Sequence, residues 1–100
     1  MPLKTEREPI FFVDAMLGNI ARKLRLLGYD SEYFSDIDDE KLIDSARKEK
    51  RIIILKDEEL IKRTQKLGIR SIHITKEEEV EQFFEIINSA NLKRIQIMEI

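Results

Sequence analysis

The stretch Ile10-Phe11-Phe12-Val13-Asp14, running into Ala15-Met16-Leu17-Gly18-Asn19-Ile20-Ala21-Arg22-Lys23-Leu24-Arg25-Leu26-Leu27-Gly28, decides how this chain folds. A short apolar run closed by a carboxylate reads as a strand over 10–14, covered on both faces. Beyond it, Met16, Leu17, Ile20, Ala21, Leu24 and Leu27 recur at helical spacing. That spacing predicts one helix burying these residues and stopped at Gly28 by a left-handed C-cap. A strand that passes straight into a helix is half of a parallel-sheet unit.

Working outward, the same arrangement returns at Arg51-Ile52-Ile53-Ile54-Leu55-Lys56-Asp57. Three isoleucines and a leucine in a row predict a strand over 52–56. Before it, 30–34 reads as a short strand and 35–39 as a loop ending in a helix N-cap. A helix over 40–50 follows, burying Leu42, Ile43 and Ala46. After it come a helix over 58–67 stopped at Gly68 and a strand over 69–74. Thr75-Lys76-Glu77-Glu78 has the form of a capping box for a last helix reaching Ser89. Val80, Phe83, Phe84, Ile86 and Ile87 supply that helix's buried face in some combination, and 94–100 alternates as an edge strand or tail. The order predicts a single α/β domain over 1–100 with 1–9 as an N-terminal extension. Its architecture is an α/β sandwich with a mainly parallel sheet of four to five strands.

Apolar residues make up 42% of the chain and charged residues 38%, which excludes a disordered polymer. No apolar run approaches the roughly 20 residues that cross a bilayer, and the first nine residues lack the core of a signal peptide. The chain has no cysteine, so Cys-ligated zinc and disulfides are excluded and a cytoplasmic location is the expectation. Abundant isoleucine, lysine and glutamate suit a heat-loving source. The net charge of −2 does not advertise a nucleic-acid binder, but its distribution is uneven. Residues 30–40 hold six acids and no base, whereas residues 51–75 hold six bases and three acids. A basic face beside an acidic pocket is one outcome of such alternation; ordinary surface patterning is the other.

Three acids stand where a strand or loop hands over to a helix: Asp14, Asp57, and one of the pair Asp38 and Asp39. Aspartate there caps exposed helix amides for about 1 kcal/mol, and position by position that explanation is sufficient. Capping needs the acids singly. Parallel strands, however, bring these positions to one edge, where carboxylates repel unless a hard cation sits among them. Such a cluster around Mg²⁺ or Mn²⁺ suits phosphodiester hydrolysis. Arg22, Lys23 and Arg25 follow Asp14 on the same predicted helix, and Arg51 and Lys56 flank the strand before Asp57. Arg22 and Arg25, extended by Arg51 and Lys56, form a candidate rim for backbone phosphates, against the alternative of solvated helix faces. His73 has no partner for a catalytic triad and reads as a strand-face residue. None of the three glycines falls in a phosphate-loop spacing.

Phe12-Val13-Asp14-Ala15-Met16-Leu17-Gly18, then Leu24-Arg25-Leu26-Leu27-Gly28-Tyr29-Asp30, resembles the opening signature of the Mut-seven C-terminal RNase domain family, which has a PIN-like nuclease fold. Asp39-Glu40-Lys41-Leu42-Ile43-Asp44-Ser45-Ala46 and the block ending at Asp57 resemble its second and third motifs, in the family's order. The resemblance implies a three-layer PIN-like sandwich and a metal-dependent ribonuclease. Asp14, Asp39 and Asp57 would be its ligands and Arg22 and Arg25 would lie near the site, with Asp38 as substitute for Asp39. Two departures stand out. Leu55 occupies the place of a hydroxyl residue, and the chain has no cysteine for the zinc ribbon that many members carry. RNA is the expected partner, with a homo-oligomer and a protein partner left open. The rival expectation is a PIN-like module that binds RNA or protein without cutting. A receiver-like signalling domain ranks lower, because the strand over 71–74 lacks a lysine.

Overall fold

The opening apolar run forms a strand, β1 (Phe11–Asp14), in a computed structural model whose described residues are 8–92. The strands that join it are β2 (Ser31–Phe34), β3 (Ile52–Leu55) and β4 (Ser71–His73). All pairings are parallel and the order is β2-β1-β3-β4. Helices alternate with them: α1 (Ile20–Leu26), α2 (Asp39–Glu49), α3 (Glu58–Lys66) and α4 (Glu79–Ala90). This is the α/β/α sandwich expected of a PIN-like domain, with four strands in its sheet among the described residues. The proposed strand at 94–100 lies outside the described residues.

The pleat sends alternate side chains to opposite faces and so divides the core in two. Phe11 and Val13, with Ile52 and Ile54, pack against α1 and α4 through Ile20, Leu24, Ile86 and Ile87. Phe12, Ile53 and Leu55 pack on the other face against Leu42, Ile43 and Ala46 of α2 and Ile61 of α3. β3 is buried along its whole length, as its unbroken aliphatic run requires. Because β2 and β3 flank β1 on opposite sides, the chain reverses direction across β1. Ligands of open α/β sheets bind at the carboxyl ends of the strands beside such a reversal.

Three sequence expectations need correction. The first helix is not continuous. Ala15–Leu17 form a turn of 3-10 helix, and Gly18 then takes φ +66° before α1 begins. A non-glycine residue is strained in that region, so the glycine permits the break. Met16 consequently points outward, 88% exposed, and contributes nothing to the core. Nor does Thr75 box the last helix. Its amide and hydroxyl both bond to the Glu85 carboxylate, the hydroxyl at 2.5 Å, and α4 starts after Glu78, which makes no side-chain cap. Of the residues offered for the buried face of α4, Ile86 and Ile87 are buried and Phe83 is half-buried, while Val80 and Phe84 are exposed.

Candidate active site at the carboxyl edge

Asp14 ends β1, and Asp57 follows the end of β3 by two residues. In the β1–β3 register Val13 pairs with Ile54, so the two acids emerge from neighbouring strands at the same edge. Asp14 shares the parity of Phe12, on the face covered by α2 and α3, and Asp57 is the N-cap of α3. Asp39 is the first residue of α2 and so comes to this face from the other side of the strand reversal. With Asp57 it lines a shallow cavity of about 780 Å³ whose remaining wall is α3, including Lys62, Arg63 and Lys66.

Each carboxylate has a local partner. Asp14 accepts the Met16 amide at 3.0 Å, capping the 3-10 turn. Asp57 accepts the amides of Glu59 and Leu60 at 3.0 and 3.2 Å, capping α3 with the same oxygen, Oδ1. Asp39 pairs with the Arg63 guanidinium at 3.5 Å, and Arg63 also binds Glu40. Asp38 holds the N-cap position of α2 with extended backbone and makes no capping bond. All three sequence-derived acids are hard oxygen donors of the kind Mg²⁺ and Mn²⁺ prefer. Among the described residues, however, no three acidic or imidazole side chains stand together as a ready ligand group. The donor chemistry suits a divalent cation; the present grouping, with Arg63 seated on Asp39, does not enclose one.

The basic residues divide. Arg22 is exposed on the first turn of α1, with no hydrogen bond or ion pair among the described residues. Arg25 is committed to β2: its Nε donates to the Ser31 carbonyl at 2.6 Å and its guanidinium lies 5.6 Å from the Tyr33 ring centre. Lys56 stands at the carboxyl edge, paired with Glu77 at 3.2 Å. Arg51 stands at the opposite edge. It precedes β3, is 7% exposed, and binds Asp30, Glu49 and Glu32 at 2.9, 2.6 and 3.5 Å. The expectation that Arg51 extends a rim beside the aspartates is therefore corrected, because it flanks the wrong end of the strand. Leu55, in the place of the family's hydroxyl, is buried among the side chains beneath α2 and α3.

Sequence reasoning missed the residues that brace the edge. The Tyr33 hydroxyl donates to the Gly18 carbonyl at 2.5 Å, tying β2 to the loop that leaves Asp14. Glu79, from the start of α4, accepts the Asn19 amide at 3.2 Å and pairs with Lys23 at 2.9 Å. His73 Nε2 lies 3.1 Å from the Lys56 carbonyl, one residue before Asp57. These contacts span 15 to 60 residues of sequence, so no local pattern announces them.

Lys23 first, and then the Asn19 amide, hold the Glu79 carboxyl below its ordinary pKa. A depressed carboxylate pKa stabilises the fold above the unfolded value, roughly 4.3, and that contribution disappears as pH falls through the folded value. Glu79→Gln is therefore expected to melt below the wild type at pH 7, with the gap closing as the pH is lowered past about 4 in a series of thermal melts.

No curated protein and no solved structure matches the chain at a significant level. A family model does. The model of the Mut7-C RNAse domain matches residues 9–99, which include both strand-end acids, the start of α2 and every helix and strand described above. This chain belongs to the Mut7-C RNAse domain family.

Proposed function

We propose that this domain is a metal-dependent ribonuclease that hydrolyses RNA phosphodiester bonds at the carboxyl edge of its sheet. The observation that carries the reading is the placement of Asp14 and Asp57 at the carboxyl ends of adjacent parallel strands, beside the strand reversal. Asp14, Asp39 and Asp57 are the residues that would hold Mg²⁺ or Mn²⁺, with Asp38 the substitute for Asp39. When bound, the ion supplies polarisation of the phosphate and a water of lowered pKa. Asp14 and Asp57 each spend Oδ1 on backbone amides, which fixes the carboxylates and leaves Oδ2 for that role. Arg22, exposed and without an ion pair among the described residues, draws the RNA backbone toward the edge.

A second reading, an RNA-binding module that does not cut, is favoured by one observation: the Arg63 guanidinium already neutralises Asp39. Labelled single-stranded RNA incubated with Mn²⁺, with and without EDTA, separates the two. The nuclease predicts cleavage that chelation abolishes and that Asp14→Asn lacks. If the RNA instead stays whole and remains bound in EDTA, the binding module is the correct description.

A further inference from the structure

Beyond the aspartates, a series of cations leads across the molecule to its far edge. Gln65 lines both the cavity at Asp39 and Asp57 and a smaller hollow formed with Gly68, Ile69 and Arg70. These last three also line a cleft of about 410 Å³ at the amino edge of the sheet. Its apolar lining includes Ile10, Ile52 and Ile69, and its basic side chains are Arg47, Lys50, Arg51 and Arg70. Arg51 is neutralised by its three carboxylates, and Glu8 is the cleft's acidic residue. The side chains of Lys50, Lys66 and Arg70 make no ion pair or hydrogen bond among the described residues, and that of Arg47 reaches only the Leu67 carbonyl, at 3.5 Å.

The bland account of such cations is a favourable interaction with helix dipoles. It covers Arg47 and Lys66, which lie in the last turns of α2 and α3. It does not cover Arg70, which belongs to the loop entering β4. Helix α3 has nine residues, so the path along it is about 14 Å long. A free phosphate or a mononucleotide would engage one end of such a path. A polyanion with regularly spaced phosphates and apolar base faces would engage the whole of it.

The geometry points to a single-stranded RNA track from the aspartate edge along α3 to the amino-edge cleft. Lys66, Arg70, Lys50 and Arg47 hold its phosphates there, and the aliphatic cleft receives a base. The inference rests on RNA being the substrate at the carboxyl edge and adds a second contact region on the far side of the sheet.

The test is fluorescence anisotropy of a labelled single-stranded RNA oligonucleotide in EDTA, across a salt series. It compares wild type, Lys50→Glu/Arg70→Glu, and Lys66→Glu, each confirmed folded by circular dichroism. Expected are an affinity loss of about tenfold in the double variant and a salt slope shallower by about 1.4, two contacts at 0.7 each. Lys66→Glu should lose less, with about half the change in slope. Cleavage of a dinucleotide, too short to reach the cleft, should be unchanged in the double variant, whose two residues lie outside the aspartate cavity. Wild-type affinity and slope in both variants would overturn the track, even if the protein cuts RNA. Weakened binding in variants of a protein that cuts nothing would uphold the track and remove the nuclease assignment instead.

Discussion

An Asp57→Asn protein is expected to keep its stability and lose at least about 100-fold in RNA cleavage. The first half follows from capping. Asp57 accepts two α3 amides through one oxygen, and asparagine caps a helix about as well as aspartate. The second half follows from charge: a neutral amide is a far poorer ligand for a hard divalent cation. Disturbing a group merely adjacent to a metal commonly costs 10–100-fold, so loss of a direct ligand sets that as a lower bound. Asp57→Ala is the informative companion. It removes the cap as well, and should lower stability by about 1 kcal/mol with no further loss of rate. Thermal melts and Mn²⁺-dependent cleavage, measured on both variants, separate the two duties of one side chain. If Asp57→Asn cuts at the wild-type rate, Asp57 is a helix cap and nothing more.

Arg51→Met is expected to give the largest loss of stability of any exchange considered, about 2–3 kcal/mol, or roughly 10–20 °C in Tm. The guanidinium is buried yet fully employed. It donates to the Phe11 carbonyl at 3.1 Å, meets three carboxylates, and lies 5.1 Å from the centre of the Phe12 ring. Burial alone would depress its pKa, but the hydrogen bonds to Asp30 and Glu49 outweigh that and hold it above the ordinary value. Methionine fills much of the volume but takes one hydrogen bond from the Phe11 carbonyl and leaves three acids facing one another. Those acids are about half exposed, so water and salt absorb part of their repulsion, and the estimate sits below that for a fully buried pair. Asp30→Asn, which removes only one half-exposed partner, should cost less than about 1 kcal/mol in the same melts.

Arg51 also shows where sequence reading ends. Its neighbours Ile52–Leu55 declare a buried strand unmistakably, and the parallel sheet follows from such runs alternating with amphipathic helices. The strand-end positions of Asp14 and Asp57 follow in turn, because they depend on local runs alone. Which end of a strand an arginine serves, and which acids meet it, depends on register between strands. Asp30 and Glu32 reach Arg51 only because β1 lies between β2 and β3. The same limit explains Thr75, whose local capping box loses to a carboxylate ten residues away. The break in the first helix was hidden differently. The helical spacing runs on through Gly18, but the Asp14 carboxylate turns the chain early and the glycine's positive φ lets it restart.

The central place of β1 has a consequence for when the proposed site is assembled. Its two strand-end acids come from segments about forty residues apart, and they reach one edge of the sheet only once β3 has docked beside β1. Such distant parallel pairing is entropically slow and forms late. A chain emerging from the ribosome thus carries Asp14 before it carries Asp57, and the proposed site stays incomplete until the sheet closes.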